Sequence, residues 1–309
     1  MKFQIIMNVK HLALLSIFFL TSIVNNQAQT ASDTVKVKKY QAKPPKTRHF
    51  GAEAFQKSKG TTLRWTGMAG FLINSRGTTI MVDPLFEGFD MPIMIDMPIA
   101  SKDVPRVDAI LPTHSDNDHY SVPTCKALAA VTKSYHSTIY VDSLMKNEKF
   151  PSFGHAIGES FTVGKVKITL TPADHAWQNA YPGASTRFFK PEDACGFWMD
   201  TPDGSIWVSG DSKLTPQHLT MSPPDVILLG YSEDSDWHFG LEGSAKLINA
   251  YPNAQVLLGH WGTVDAPDFL PFNGDPKNLL KLAVNPERVH VLAPGEPFTM
   301  KRLKKDKKK

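Results

Sequence analysis

Ten residues, Leu111 to Tyr120, read LPTHSDNDHY and set His114, Asp116, Asp118 and His119 into six consecutive positions. Imidazole and carboxylate are both ligands for divalent ions, and four of them so close together repel or stay unsatisfied without a cation to share. The competing reading is a solvated polar turn leading into a helix, where Asp and Asn are favoured as caps. Three more polar residues stand in similar places: His175 after ITLTPAD, Asp211 after SIWVSG and His260 after QVLLG. Asp83 likewise closes the apolar run TTIMV. Singly, each is more often a cap or a surface residue than a ligand. Jointly they form the pattern metal chemistry needs, several strands delivering donors to one rim.

That pattern requires strands that end where the polar residues begin. The spacing predicts an antiparallel meander over Thr61 to Trp65, Gly70 to Asn74 and Thr78 to Val82, with Ser75-Arg76-Gly77 as a hairpin turn. Val107, Ala109, Ile110 and Leu111 predict a short buried strand ahead of the ligand-rich turn, and Ser121 with Pro123 predicts a helix start behind it. A strand at Thr138 to Val141 and a helix at Ser143 to Lys149 follow. Further strands are expected at Ser160 to Val163, Lys165 to Thr171, Gly196 to Asp200, Ser205 to Ser209, Val226 to Leu229, Gln255 to Leu258 and Arg288 to Leu292. Helices are expected at Leu241 to Tyr251 and Pro276 to Val284. Strands in two sets with helices outside predict an α/β fold of two packed sheets covered on both faces. Gly88 to Ile99, GFDMPIMIDMPI, is neither strand nor helix by pattern and reads as a flexible apolar flap, either a lid or ordinary loop packing.

The 309 residues, 41% hydrophobic and 21% charged, can bury a large core. Lys2 and Lys10 flank a charged start, Leu12 to Val24 is apolar, and Ala28 follows, which reads as a signal peptide over residues 1–28. The apolar run of about thirteen residues is shorter than the roughly 18 to 20 a bilayer span needs, so the mature chain is expected to keep no transmembrane segment and to work in the periplasm or outside the cell. Residues 29–60 read as an extended lead-in, 61–300 as the main domain, and 301–309, KRLKKDKKK, as a disordered basic tail at which the chain's positive charge, +4 net, is concentrated. Cys125 and Cys195 are the only cysteines, which excludes a disulfide-stapled scaffold and leaves open whether they pair. The absence of an internal basic stripe argues against nucleic acid as a partner.

The ordered set Asp83, His114-x-Asp116-x-Asp118-His119, His175, Asp211 and His260 resembles the five motifs of the metallo-β-lactamase superfamily, over nearly the whole stretch from Thr61 to Met300. The words TPADH, CGFWMDTPDGSIWVSGD, LLGHWGT and LAPGEPF most resemble the branch containing ascorbate-6-phosphate lactonase and N-acyl-phosphatidylethanolamine phospholipase D. The resemblance implies a four-layer αββα sandwich of two mixed sheets with a two-metal site at one edge. It assigns His114, Asp116 and His175 to one metal, Asp118, His119 and His260 to the other, and Asp211 as a bridge, with Asp83 orienting the ligand turn. One departure matters: the superfamily's His-x-His-x-Asp-His has Asp116 in place of its second His. A carboxylate there makes the first site richer in oxygen and moves its preference from zinc toward manganese or iron.

The implied activity is that of a hydrolase using two divalent ions, zinc or manganese with iron as a further candidate, to activate water. Asp118 or Asp211 then carries the proton to the leaving group. Carboxylic ester or lactone, amide and phosphodiester all remain open as the bond cleaved, on a small-molecule or lipid-like substrate. Substrate contacts are expected from Trp177, Arg187, Tyr231, Trp237, His238 and Trp261, with Arg187 as the candidate for an anionic group. A different class of reading stands beside this one: a non-catalytic or weakly active metal-binding protein on the same fold, its first site weakened through Asp116.

Overall fold

A computed structural model describes residues 40–300. The expected signal peptide, the lead-in up to residue 39 and the basic tail lie outside the described residues.

The expected meander forms as β1 (Thr61–Gly67), β2 (Gly70–Ser75) and β3 (Thr78–Val82), paired antiparallel. β4 (Ala109–Leu111), β5 (Tyr135–Thr138) and β6 (Ser152–His155) continue the sheet in parallel, and β14 (Pro297–Thr299) closes its other edge on β1. The second sheet runs antiparallel through β7 (Ser160–Val163), β8 (Val166–Pro172), β9 (Cys195–Thr201) and β10 (Gly204–Val208). It then runs parallel through β11 (Val226–Gly230), β12 (Gln255–Gly259) and β13 (Val289–His290). Among the described residues two mixed sheets of seven strands result, as the resemblance implied.

Alternation along the strands sets the layers. Phe71 and Ile73 of β2 share a core with Phe197 and Met199 of β9, between the sheets. Leu72 between them faces the other way, into a cluster with Cys125 and Leu128 of α1 (Val122–Leu128) and Val141 and Met145 of α2 (Ile139–Asn147). A single-residue step thus sends neighbouring side chains to opposite faces. α3 (Gly240–Ala250) supplies Leu247 and Ile248, and α4 (Pro276–Leu282) supplies Leu279, to the second sheet. Each such fully buried aliphatic side chain contributes about 1.5–3 kcal/mol.

The helix start at Ser121 is as expected: its Oγ accepts the Thr124 N–H at 3.1 Å, with Pro123 in the first turn. The expected strand at Thr138 to Val141 is displaced. The strand occupies Tyr135–Thr138, and Thr138 caps α2 by accepting the Val141 N–H, so the β-branched Ile139 and Val141 belong to a helix. β6 and β14 carry no apolar periodicity that predicts them. The described part of the lead-in is extended and anchored: the Gln41 side chain donates to the Val264 carbonyl and accepts from the Ala266 N–H, and Phe55 is buried. The 88–99 stretch is tied down through an Ile93–Val264 bridge and Met94 N–H donating to the Thr263 carbonyl at 2.7 Å. Cys125 and Cys195 are both buried and free.

Antiparallel steps from β8 to β9 to β10 make β8, β10, β11 and β12 run in one direction, so their C-terminal ends meet at one edge of the second sheet. β3 and β4 end likewise in the first sheet.

Candidate metal centre

Asp83 follows β3, His114 to His119 follow β4, His175 follows β8, Asp211 follows β10 and His260 follows β12. All seven proposed ligands gather at this edge, and all but Asp116, which is intermediate in exposure, are buried. His260 and Asp83 adopt left-handed backbone angles, φ 69° and 43°, conformations that cost on the order of 1–3 kcal/mol each and persist at sites that use them. Gly210 (φ 62°) makes the turn that presents Asp211, and a Cβ at Gly230 would stand 2.9 Å from Asp211 Oδ1.

Two sets of donor atoms result. In the first, His119 Nε2 lies 3.3 Å from Asp118 Oδ2 and 3.0 Å from Asp211 Oδ2, and His260 Nε2 lies 3.3 and 3.1 Å from the same two oxygens. In the second, Asp116 Oδ2 lies 3.2 Å from both His114 Nε2 and His175 Nε2. His114, His175 and Asp211 also offer donor atoms within 4.8 Å of one another. Ligands about 2.0–2.1 Å from a tetrahedral ion stand roughly 3.3 Å apart, so these spacings fit a divalent cation. His114 Nε2, His119 Nε2 and Asp211 Oδ1 are moreover buried without a hydrogen-bond partner. The donor set therefore suits metal, and Asp116, despite its short side chain, reaches both imidazoles.

Outer contacts fix how each donor points. Asp83 Oδ2 meets His119 Nδ1 at 2.9 Å, and its carboxylate also takes the Thr113 N–H at 2.7 Å and the Thr113 hydroxyl at 2.8 Å. This ties the ligand turn to β3 and turns His119 Nε2 inward. His175 Nδ1 meets the Trp237 carbonyl at 2.8 Å, leaving Nε2 for Asp116. Asp116 accepts from Trp177 Nε1 at 2.6 Å on Oδ2 and from Gln178 Nε2 at 2.7 Å on Oδ1. His238 bridges Asp211 Oδ2 at 3.1 Å and Asp234 Oδ2 at 2.6 Å.

The charges are mutually dependent. Burial alone would raise the Asp211 carboxyl, but His119, His260 and His238 hold it well below the usual carboxylate range. Burial would lower His119, and Asp211, Asp118 and Asp83 instead lift it well above 6.5. Such a cluster holds its carboxylates ionised, the form in which they bind cations.

The other expected contacts divide. Trp177, Trp237 and His238 line a cavity of about 700 Å³ whose floor includes Asp116, Asp118 and Asp211. Arg187 is paired with Asp193 at 2.8 Å and stacked on the Tyr140 ring, and it does not line that cavity. Tyr231 is fully buried with its hydroxyl on the Asp275 carbonyl, and Trp261 stacks on Trp65; both are packing residues. No residue of 88–99 lines the cavity, whose walls come instead from 177–189 and 269–272 together with Tyr140 and Trp237. Thr113, Gln178 and Asp234 escaped sequence reasoning because loop residues that orient a ligand have no fixed spacing from it. Trp177 was expected at substrate and also serves Asp116.

Comparison with known proteins gives the arrangement a family. A metal-dependent hydrolase of the UPF0173 group from Caldivirga maquilingensis is 26% identical over 251 residues, covering 77% of this chain and 97% of the relative. Among solved structures, an isothiocyanate hydrolase from Delia radicum gut bacteria superposes with a TM-score of 0.61 at 18% identity, covering 77% of this chain and 99% of that one. Igni18, a metallo hydrolase from Ignicoccus hospitalis, superposes at 0.59 with 19% identity, over 78% and 98%. The two structures show the shared fold. The beta-lactamase superfamily domain model matches residues 78–261, more than half of the chain and the span that holds every residue from Asp83 to His260, so this chain belongs to that superfamily.

Proposed function

We propose that the chain is a metal-dependent hydrolase that adds water across an ester, lactone or phosphodiester bond outside the cytoplasm. The observation that carries this reading is the pair of donor sets, joined through Asp211, on the floor of a cavity large enough for a small organic molecule. His114, Asp116 and His175 would hold one ion and Asp118, His119 and His260 the other, with Asp211 shared. Divalent ions in such sites supply Lewis acidity, lowering the pKa of water toward about 7 and polarising the bond to be cut. Zinc or manganese suits the mixed imidazole and carboxylate set, and iron is compatible with it.

The chain's own residues do the rest. Asp83 and Thr113 fix the ligand turn, and Asp234 fixes the His238 ring by its contact with Nδ1. His238 lines the cavity and points Nε2 toward Asp211, so a proton at Nε2 is placed to reach a leaving group above the floor. We add His238 to Asp118 and Asp211 as a candidate for the proton transfer, its Nε2 lying 3.1 Å from Asp211 Oδ2. The apolar walls support the lactonase or lipid-phosphodiesterase branch, and the charged start, apolar run and Ala28 support export.

The test is metal content together with turnover on carboxylic ester, lactone and phosphodiester substrates, before and after chelation. Hydrolysis lost with the metal and restored by zinc or manganese supports the proposal. Metal-replete protein with no turnover on any of the three classes would leave a metal-binding protein on this fold. For export, N-terminal sequencing should find a first residue near Gln29; a mature chain retaining Leu12 to Val24 refutes it.

A further inference from the structure

The cavity over the metal centre has one character on its floor and another on its walls. The floor is acidic and imidazole-lined, whereas Tyr140, Trp177, Tyr181, Phe189, Trp237 and Phe272 make the walls. Of the lining residues, Tyr181 and Phe269 are about half exposed and mark its mouth. Large apolar side chains left open around a cavity of this size mark a surface that ligand covers.

The nearby cations are already engaged. Arg187 gives Nη2 to Asp193 at 2.8 Å and lies over the rings of Tyr140 and Phe189, 3.7 and 4.9 Å from their centroids. Those rings line the cavity and Arg187 does not. Lys213 sits 4.1 Å from the Trp237 ring centroid, and it too is absent from the lining. Among the described residues the cavity wall therefore presents no lysine or arginine. A carboxylate or phosphate carried by the substrate against this wall would lose its water without gaining a counter-charge. An alkyl or aryl group there gains from leaving water, roughly three- to fourfold in binding per methylene.

We propose that the substrate is a neutral ester whose acyl part is an unbranched alkyl or an aryl group seated between Trp177, Trp237 and Phe272. This deepens the hydrolase reading above and rests on it. In the reaction the water oxygen bonds to the acyl carbon, the bond from that carbon to the alkoxy oxygen breaks, the alcohol leaves with one of the water's protons, and the acid is released as its anion with the second proton passing to solvent.

The experiment uses the full mature chain loaded with zinc or manganese and three para-nitrophenyl esters: acetate, hexanoate, and the adipate half-ester, which is hexanoate with a carboxylate at its far end. The expected kcat/KM for hexanoate exceeds that for acetate by about 10- to 100-fold and exceeds that for the adipate half-ester by on the order of 100-fold. Phe269→Arg, at the mouth, should shrink the hexanoate-to-adipate ratio by about tenfold or more. In parallel, hexyl phenyl ketone, a neutral compound that cannot be hydrolysed, should quench tryptophan fluorescence, and its ω-carboxylate counterpart should not. Cleavage of all three esters without chain-length preference, or preference for the adipate half-ester, overturns the inference while the hydrolase reading stands. Ketone binding with no ester cleaved overturns the ester assignment, and the hydrolase reading is then decided by the lactone and phosphodiester substrates of the panel above. Equal binding of the ketone and its carboxylate overturns the inference.

Discussion

Replacing Trp177 by Phe should separate the two halves of the metal centre. The indole N–H lies 2.6 Å from Asp116 Oδ2, the oxygen that stands 3.2 Å from both His114 and His175. Phe keeps a ring against Tyr181 and deletes only the donor. A hydrogen bond to a charged group is worth about 1.5–3 kcal/mol, which corresponds to roughly 10- to 100-fold in an equilibrium constant. If Trp177 holds Asp116 in position for an ion, zinc at the site of His114, Asp116 and His175 should weaken by that factor. The ion held by Asp118, His119 and His260 should be unchanged, since none of these residues bonds Trp177. Gln178→Met removes the donor on the other carboxylate oxygen and should act in the same direction. Because both act on one carboxylate, the double variant should depart from additivity. The assay is zinc titration against a competing chelator, read as two binding events with ions counted per chain. Two events unchanged from the parent would show that Asp116 is not held for metal, and equal weakening of both would show that the two sites are not separable in this way.

Asp211→Ala should release both ions, whereas His260→Ala should release the one it would share with Asp118 and His119; metal counted by emission spectrometry checks both, and full retention in Asp211→Ala would dissolve the two-ion reading. Asp83→Asn, which weakens the grip on His119 Nδ1, should cost about 10- to 100-fold in affinity for that ion, measured by the same titration. A third expectation concerns stability away from the site: burial, helped by neighbouring His155, lowers His136 from 6.5 to about 4. The unfolded chain takes up this proton first, so the stability held above pH 6.5 is lost as pH falls toward about 4. Allowing for solvent screening, the loss is roughly 2 kcal/mol, and His136→Phe should flatten the urea-unfolding pH profile by that amount; parallel profiles for the two proteins would refute it.

Much of the site was legible because it sits where patterns break. Apolar runs such as QVLLG and SIWVSG end in a single polar residue, and only a strand that stops at a rim leaves that signature, so His260 and Asp211 could be read before any geometry. The sandwich followed from the same runs. What was lost depended on tertiary context. Ile139 and Val141 favour strand by propensity, yet Thr138 one position earlier can cap, and the packing of Val141 against Leu128 and Met145 decided for helix. Ser152–His155 pairs through its backbone at a sheet edge and shows no periodicity at all. Arg187 was assigned to an anion on charge alone, and its partner Asp193 lies in the same loop, where sequence distance says nothing of contact.

The cluster is expensive, and the expense is itself an argument for its role. His260 and Asp83 hold left-handed angles that side chains with a Cβ avoid. His114 Nε2 and His119 Nε2 are buried against carboxylate oxygens, and Asp211 Oδ1 is buried with no hydrogen-bond partner, at about 1–3 kcal/mol. Three carboxylates, those of Asp116, Asp118 and Asp211, share this edge with five imidazoles crowded ring to ring, His114 and His119 only 4.0 Å apart between centroids. Packing of the sheets does not require any of this, because the strands already bury their apolar faces on both sides. A site that weakens the apo fold in this way regains stability when a ligand binds only the folded state, by about 2.7 kcal/mol at a hundred times its Kd. Cations are the ligands that would satisfy the converging imidazole nitrogens, the crowded carboxylates and the shared Asp211 together, whereas a neutral ligand would leave the carboxylate charge in place.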